Sequence, residues 1–336
     1  MPSPQKKLLF SHVPKAAGTT LGRILKKNLG SRFYAYYGLY DRYMFDSRDV
    51  ERVLEFAPQY DALASHLISL DLPWRSEKFS IFAVAFVRDP VDRAISLFYY
   101  LQKIATERGG LIEGDINSFF RRILKSDCEQ RGPYCDAQWH FLQGTKQVTW
   151  SFEQLQRLVE SGKLIIAPME RFNDACVVME KVHGDLLSDM AYPEKQNTSP
   201  RSGGCSEDVL ELLNLKNQKD FQLYDWAQEQ FHRQFEHLIG PLANSARLDF
   251  QHRCKAVSGD WIADDSAVAL NREERQYFEY LKEENRKLRC ENAGLRSARD
   301  LKALNGIPSS IIASISRMIS GGGHTSKRLG SPSDRG

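Results

Sequence analysis

The stretch His12-Val13-Pro14-Lys15-Ala16-Ala17-Gly18-Thr19-Thr20 decides the reading of the fold. Before it lies a short apolar run, Leu8 to Val13. After it, Thr19 to Leu29 sets Leu21, Ile24, Leu25 and Leu29 on one helical face, so the segment reads as strand, turn, helix. A helix N-terminus offers unpaired N–H donors and a partial positive charge, and a turn of small residues ahead of it can wrap an anion. Gly18 lets the backbone come close, Thr19 and Thr20 add hydroxyl donors, and Lys15 supplies a mobile positive charge. Pro14, Ala16 and Ala17 complete the turn. The same residues also suit an ordinary strand–turn–helix. Lys15 precedes the Gly, whereas nucleotide-hydrolysing loops of the Gly-Lys-Ser/Thr type join the two, which disfavours an ordinary ATPase or GTPase.

Working outward, Ile81 to Val87 is almost wholly apolar, as expected of a strand buried on both faces of a parallel sheet. Asp89 suits the N-cap of the helix that follows, Pro90 its first position, and Asp92 places another acid in the first turn. Leu164 to Met169 gives a third strand, followed by the helical pattern Asn173 to Val182. Strands alternating with helices predict an α/β fold: a P-loop-like central parallel sheet flanked by helices. Arg88 leaves a strand at its carboxyl end, where open α/β sheets bind ligands, and Ser96 sits on the next helix. Taken alone, Arg88-Asp89-Pro90 also reads as a helix cap beside a surface arginine.

The chain has 336 residues, 42% hydrophobic and 26% charged, enough for one large domain with appendages. Its 46 basic and 43 acidic residues leave a net charge of +3, which argues against nucleic acid as the main partner. The six cysteines lack zinc-site spacing, Cys128 and Cys135 being the one pair close enough to suggest a bridge, and no His-x-x-x-His or acidic cluster accompanies the motifs, so no metal is expected. No signal peptide and no apolar run of about 20 residues is seen, and the expectation is a cytoplasmic protein.

The two segments together resemble the sulfotransferases that use 3′-phosphoadenosine 5′-phosphosulfate (PAPS), in the version typical of heparan sulfate 2-O- and 6-O-sulfotransferases and their bacterial relatives. His12 to Thr20 is similar to the family's 5′-phosphosulfate loop. Phe86-Val87-Arg88-Asp89-Pro90-Val91-Asp92-Arg93-Ala94-Ile95-Ser96 is similar to its 3′-phosphate motif. Met169-Glu170-Arg171-Phe172 and Lys219-Asp220-Phe221-Gln222-Leu223-Tyr224-Asp225-Trp226-Ala227 resemble later landmarks, so the likeness spans roughly residues 6–240. It implies that residues 14–20, Arg88 and Ser96 bind PAPS, that Lys15 stabilises the leaving group, and that the acceptor is a hydroxyl, of a carbohydrate above all. It places a catalytic histidine at His66, with His140 the competing candidate for a base working near neutral pH. It implies no required metal. Lys195 and Arg201 fall where a polar loop covers the donor in relatives, and residues 31–60 and 105–150, with Tyr34, Tyr36, Tyr37, Tyr40, Arg42 and Tyr43, are expected to line the acceptor cleft. Golgi relatives carry an N-terminal anchor that is not seen here, which points to a bacterial-type cytoplasmic enzyme. A nucleotide-dependent kinase on the same sheet and a non-catalytic scaffold are the alternatives.

The domain is expected to span residues 1–250, followed by a linker at 251–270. Residues 271–305 read either as a charged helix or as a short coiled coil, with Phe278, Asn285 and Asn292 on one core position and Leu281, Leu288 and Leu295 on the other. In the coiled-coil reading, residues 278–295 join two copies of the chain. Residues 271–336 hold 13 basic and 8 acidic side chains. Within the tail at 306–336, Ile307, Ile311, Ile312, Ile315, Met318 and Ile319 form an apolar stripe suited to a membrane surface or to protein.

Overall fold

The computed structural model describes residues 3–36, 44–107, 109–110, 112–125, 133–144, 150–193 and 204–257. The expected helix or coiled coil at 271–305, the tail at 306–336, Cys128, Lys195, Arg201, Tyr37, Tyr40, Arg42 and Tyr43 lie outside the described residues.

Five strands, β1 (Gln5–Ser11), β2 (Phe33–Tyr36), β3 (Ala62–Ser65), β4 (Phe79–Val87) and β5 (Leu164–Pro168), form one parallel sheet in the order β2-β3-β1-β4-β5. Leu8, Leu9 and Phe10 of the central β1 are buried, as a strand covered on both faces requires. Ser11 pairs with Ser65 on one side and Ala85 on the other, so β1 and β3 end level while β4 runs two residues further, to Val87. The segments that follow these three strands therefore meet at one edge.

The described helices are α1 (Gly18–Leu29), α2 (Ser47–Phe56), α3 (Pro90–Glu107), α4 (Ile116–Lys125), α5 (Ala137–Gln143), α6 (Phe152–Glu160), α7 (Phe172–His183), α8 (Glu207–Lys216), α9 (Gln218–Leu238) and α10 (Ala243–Ala256). The α/β fold with a helix-flanked parallel sheet is thus as expected. Asp89 caps α3 by accepting the Asp92 N–H at 2.9 Å. Helix α2 starts on a capping box in which Asp46 accepts the Arg48 and Asp49 N–H groups and Asp49 accepts that of Asp46. A second apolar cluster joins α3, α4 and α8 through Leu97, Phe98, Phe119, Phe120 and Leu213.

Helix α10 corrects one boundary. It runs through Ala256, so residues 251–256, expected to begin an irregular linker, are helical. The weak periodicity of that stretch has a physical reason: α10 is held by charge as much as by apolar contact. The Arg253 guanidinium grips both oxygens of Glu180 at 2.7–2.8 Å and reaches Asp189 at 3.0 Å, while Arg247 pairs with Asp174 at 2.7 Å.

Candidate active site

The chain leaves β1 through a turn tied to the end of β3 and to itself. His12 N–H donates to Ser65 O at 3.2 Å, Val13 N–H to Ser11 O at 3.1 Å, and Ala16 N–H to Val13 O at 3.2 Å. Lys15 (φ 70°) and Ala17 (φ 60°) adopt the left-handed conformation, unusual for residues with a Cβ and found here twice within three residues. No side chain among the described residues caps α1. Its first intrahelical bond runs from Leu21 N–H to Ala17 O, leaving the N–H groups of Gly18, Thr19 and Thr20 without an intrahelical acceptor. Three aligned donors at the positive end of a 12-residue helix make a seat for an anion. Gly18 is required for close approach: a Cβ there would fall 1.4 Å from Nε2 of His12. The His12 ring is buried, stacked on Phe10 with ring centroids 5.1 Å apart. Thr19 is exposed, while Pro14, Lys15 and Thr20 are half-buried.

Lys15 and Arg88 are 73 positions apart in the sequence, and the charge of Arg88 reaches Lys15. Burial first, then the nearby charges of Arg88 and Lys103, lower the Lys15 ammonium from its ordinary value. Lys15 Nζ sits 4.3 Å from the Tyr100 ring centroid. Tyr100 lies four residues after Ser96 on α3, so the half-buried Ser96 shares the helix face turned toward Lys15. The Arg88 side chain is only 12% exposed and its nearest carboxylate, Asp92, is 3.8 Å away. Arg88 Nε is buried with no hydrogen-bond partner among the described residues. A buried guanidinium so incompletely satisfied beside a lysine and uncapped N–H donors suits a ligand that carries two phosphate-type groups. Lys103, one helical turn beyond Tyr100, also lends its charge to this edge, though its side chain is largely exposed and lies 3.7 Å from Glu107.

His66 follows β3 directly. Its Nδ1 lies 2.8 Å from the His12 carbonyl oxygen, and because a carbonyl only accepts, Nδ1 carries the proton and Nε2 the lone pair. The rings of His12 and His66 are 4.2 Å apart. Burial lowers the His66 pKa, partly opposed by that bond, so near neutral pH the ring is in the form that can take a proton. His140 is exposed on α5. The turn after β1 thus brings Lys15 and His66 together, with Arg88 arriving from β4. The landmarks at Glu170 and Tyr224 also meet: the Tyr224 hydroxyl donates to Glu170 beside Asp89, and burial together with these carboxylates raises the phenol's pKa.

Behind Arg88 stands a framework that the sequence reading did not assign. The Gln138 carboxamide accepts Arg88 N–H at 2.9 Å and donates to Arg88 O at 2.8 Å. Asp220, fully buried, accepts the Gln138 and Trp139 N–H groups at 3.1 and 2.7 Å and thereby caps α5. Asp136 returns the favour by accepting the Lys219 and Asp220 N–H groups at 2.8 and 3.2 Å at the start of α9. Burial pushes the Asp220 carboxyl up and the Arg93 guanidinium down, each opposed by the other's charge. Among the described residues no cluster of three or more His, Cys, Asp or Glu side chains has a metal-binding arrangement, and no helix is long and apolar enough to cross a membrane.

Residues 1–227 match the profile of the Sulfotransferase family. A crystal structure of a sulfotransferase from Alicyclobacillus acidocaldarius aligns at 14% identity with a TM-score of 0.37, over 69% of this chain and 97% of that one. No curated protein matches. The profile covers two thirds of the chain, including the Lys15 turn, His66 and Arg88, and the chain therefore belongs to the sulfotransferase family of transferase enzymes.

Proposed function

We propose that the enzyme takes the sulfuryl group of PAPS and places it on a hydroxyl of a carbohydrate. One observation carries the donor reading: β1 and β4 are neighbours in the parallel sheet, so the Lys15 turn with the uncapped start of α1 and the Arg88 segment leave the same carboxyl edge side by side. When bound, PAPS supplies an activated sulfuryl group on a phosphate leaving group. The Gly18, Thr19 and Thr20 N–H groups with Lys15 would hold the 5′ end, and Arg88 with Ser96 the 3′-phosphate. Lys15 is placed to balance charge that builds on the leaving oxygen, and because burial lowers its pKa, an anion beside it strengthens its hold on the proton. His66 Nε2 takes the acceptor proton, while the bond from Nδ1–H to His12 O fixes the tautomer and ring direction. Tyr34 on β2 is buried and stacked on Tyr60 with ring centroids 5.3 Å apart, so it serves the packing behind the cleft rather than a stacking surface for a sugar.

Incubation with radiolabelled PAPS and a panel of glycans tests this reading, together with thermal stabilisation by 3′-phosphoadenosine 5′-phosphate (PAP). Label transfer and a PAP-induced rise in melting temperature are expected. Stabilisation by ATP with Mg²⁺ and none by PAP would favour a kinase instead.

A further inference from the structure

Helix α5 has seven residues and is anchored at both ends to segments of the site. At its start, buried Gln138 brackets the Arg88 peptide from both sides at 2.9 and 2.8 Å. At its end, Leu142 O accepts the Leu70 N–H at 3.0 Å. Gly144 (φ +71°) then presses on Ser69 so closely that a Cβ would meet Ser69 Oγ at 2.1 Å and Ser69 Cβ at 2.7 Å. Ser69 is itself fully buried, its Oγ accepting the Asp71 N–H at 3.1 Å, so it has little room to retreat. Ser69 and Leu70 follow His66 by three and four residues, and Arg88 follows β4 directly.

The lengths agree. Strands β3 and β4 flank β1 and are two strand spacings apart, about 10 Å. Seven helical residues also rise about 10 Å. Asp220 locks the near end of the helix through the Gln138 and Trp139 N–H groups.

We infer that α5 is a spacer that sets the separation between the proton-accepting turn at His66 and the anion grip at Arg88, with Gln138 and Gly144 as its positioning residues. Gln138 acts through Arg88, and Gly144 acts through the segment that carries His66. The inference rests on the sulfuryl-transfer reading for its consequence in turnover, but the mechanical linkage is a property of the fold alone.

The test compares Gln138→Ala, Gly144→Ala and Gly162→Ala. Gly162 has the same positive φ of 71° but nothing within 4 Å of its Cβ position, so it reproduces the backbone strain without the contact. Gln138→Ala is expected to weaken PAP binding by about tenfold with kcat at saturating donor unchanged, the order set by losing a buried hydrogen-bond pair. Gly144→Ala is expected to lower kcat by about tenfold or more with PAP affinity unchanged, as misplacement of a reacting group does. Gly162→Ala should match the parent in both. Deuterium uptake should rise in residues 88–92 for Gln138→Ala and in residues 66–71 for Gly144→Ala. Equal loss of affinity and turnover in both variants, or a Gly144→Ala protein indistinguishable from Gly162→Ala, overturns the spacer. Should the parent bind no PAP, the donor reading fails and exchange decides: localised rises keep the spacer, and uniform or absent rises overturn it.

Discussion

Replacing Gly18 by alanine would ordinarily stabilise a helix by roughly 1 kcal/mol. Here the opposite is expected. The added methyl carbon would stand 1.4 Å from His12 Nε2, 1.9 Å from Cδ2 and 2.1 Å from Cε1, whereas non-bonded atoms settle at about 3.5–4.0 Å. The imidazole must therefore retreat by about 2 Å. It is stacked on Phe10 at 5.1 Å on one side and against His66 at 4.2 Å on another. Overfilling a packed site of this kind costs about 1–3 kcal/mol, which set against the helix gain leaves a net loss of about 1 kcal/mol at the middle of that range and lowers the melting temperature by about 2–4 °C. The displaced ring also shifts the turn that carries Lys15 and the His12 carbonyl to which His66 is tied, so PAP should stabilise Gly18→Ala far less than the parent. Thermal denaturation with and without PAP reads both effects. The double variant His12→Ala with Gly18→Ala removes the clash, and its loss should fall short of the sum of the single losses by about 1–2 kcal/mol. A Gly18→Ala protein that melts at or above the parent and keeps its full response to PAP would refute the reasoning.

His66→Asn retains a donor toward the His12 carbonyl but has no base, so turnover should fall by about 10²–10⁴ while PAP affinity stays; His140→Ala should leave turnover intact, and the reverse pattern would move the base to α5. Because His66 must be neutral and burial lowers its pKa, kcat/KM for the donor should be full at neutral pH and decline only as the medium is acidified past its folded pKa, below 6.5; an acid limb at or above 6.5 would show that another group takes the proton. Asp220→Ala removes the buried carboxylate that accepts the Gln138 and Trp139 N–H groups and so uncaps α5, an expected loss of about 1–3 kcal/mol that chemical denaturation would register.

The turn at 12–20 and the Arg88 segment were legible because each follows a strand buried on both faces, and continuous apolar runs such as Leu8 to Phe10 and Ile81 to Val87 stand out against a charged background. Strands β2 and β3 escaped notice. Each is four residues long, and Ala62-Leu63-Ala64-Ser65 is made largely of small side chains without alternation, so only its place beside β1 makes it a strand. His66 was singled out by the family resemblance, which places a histidine between the motifs, while its tautomer depends on a carbonyl 54 residues away that no local pattern announces. Gln138 lay next to the competing His140 and drew no role, since a glutamine that grips a peptide 50 residues back looks like any polar residue on a short helix. Asp220 belonged to a recognised landmark, yet its work as a cap on α5 appears only when two distant helix starts are brought together. The signal that was available was charge burial itself: Arg93 in an apolar stretch needs a counter-charge somewhere.

The position of β1 has a consequence for biosynthesis. It is made before both strands it pairs with, residues 62–65 and 79–87, so during translation Leu8, Leu9 and Phe10 stay without a sheet on either side until those later residues have emerged. The Lys15 turn takes its shape only after that insertion, because His12 is anchored to Ser65. Loss of residues 5–11 would therefore remove the middle strand and both of its interfaces together, and the nascent segment is a natural client for a chaperone that shields short apolar stretches.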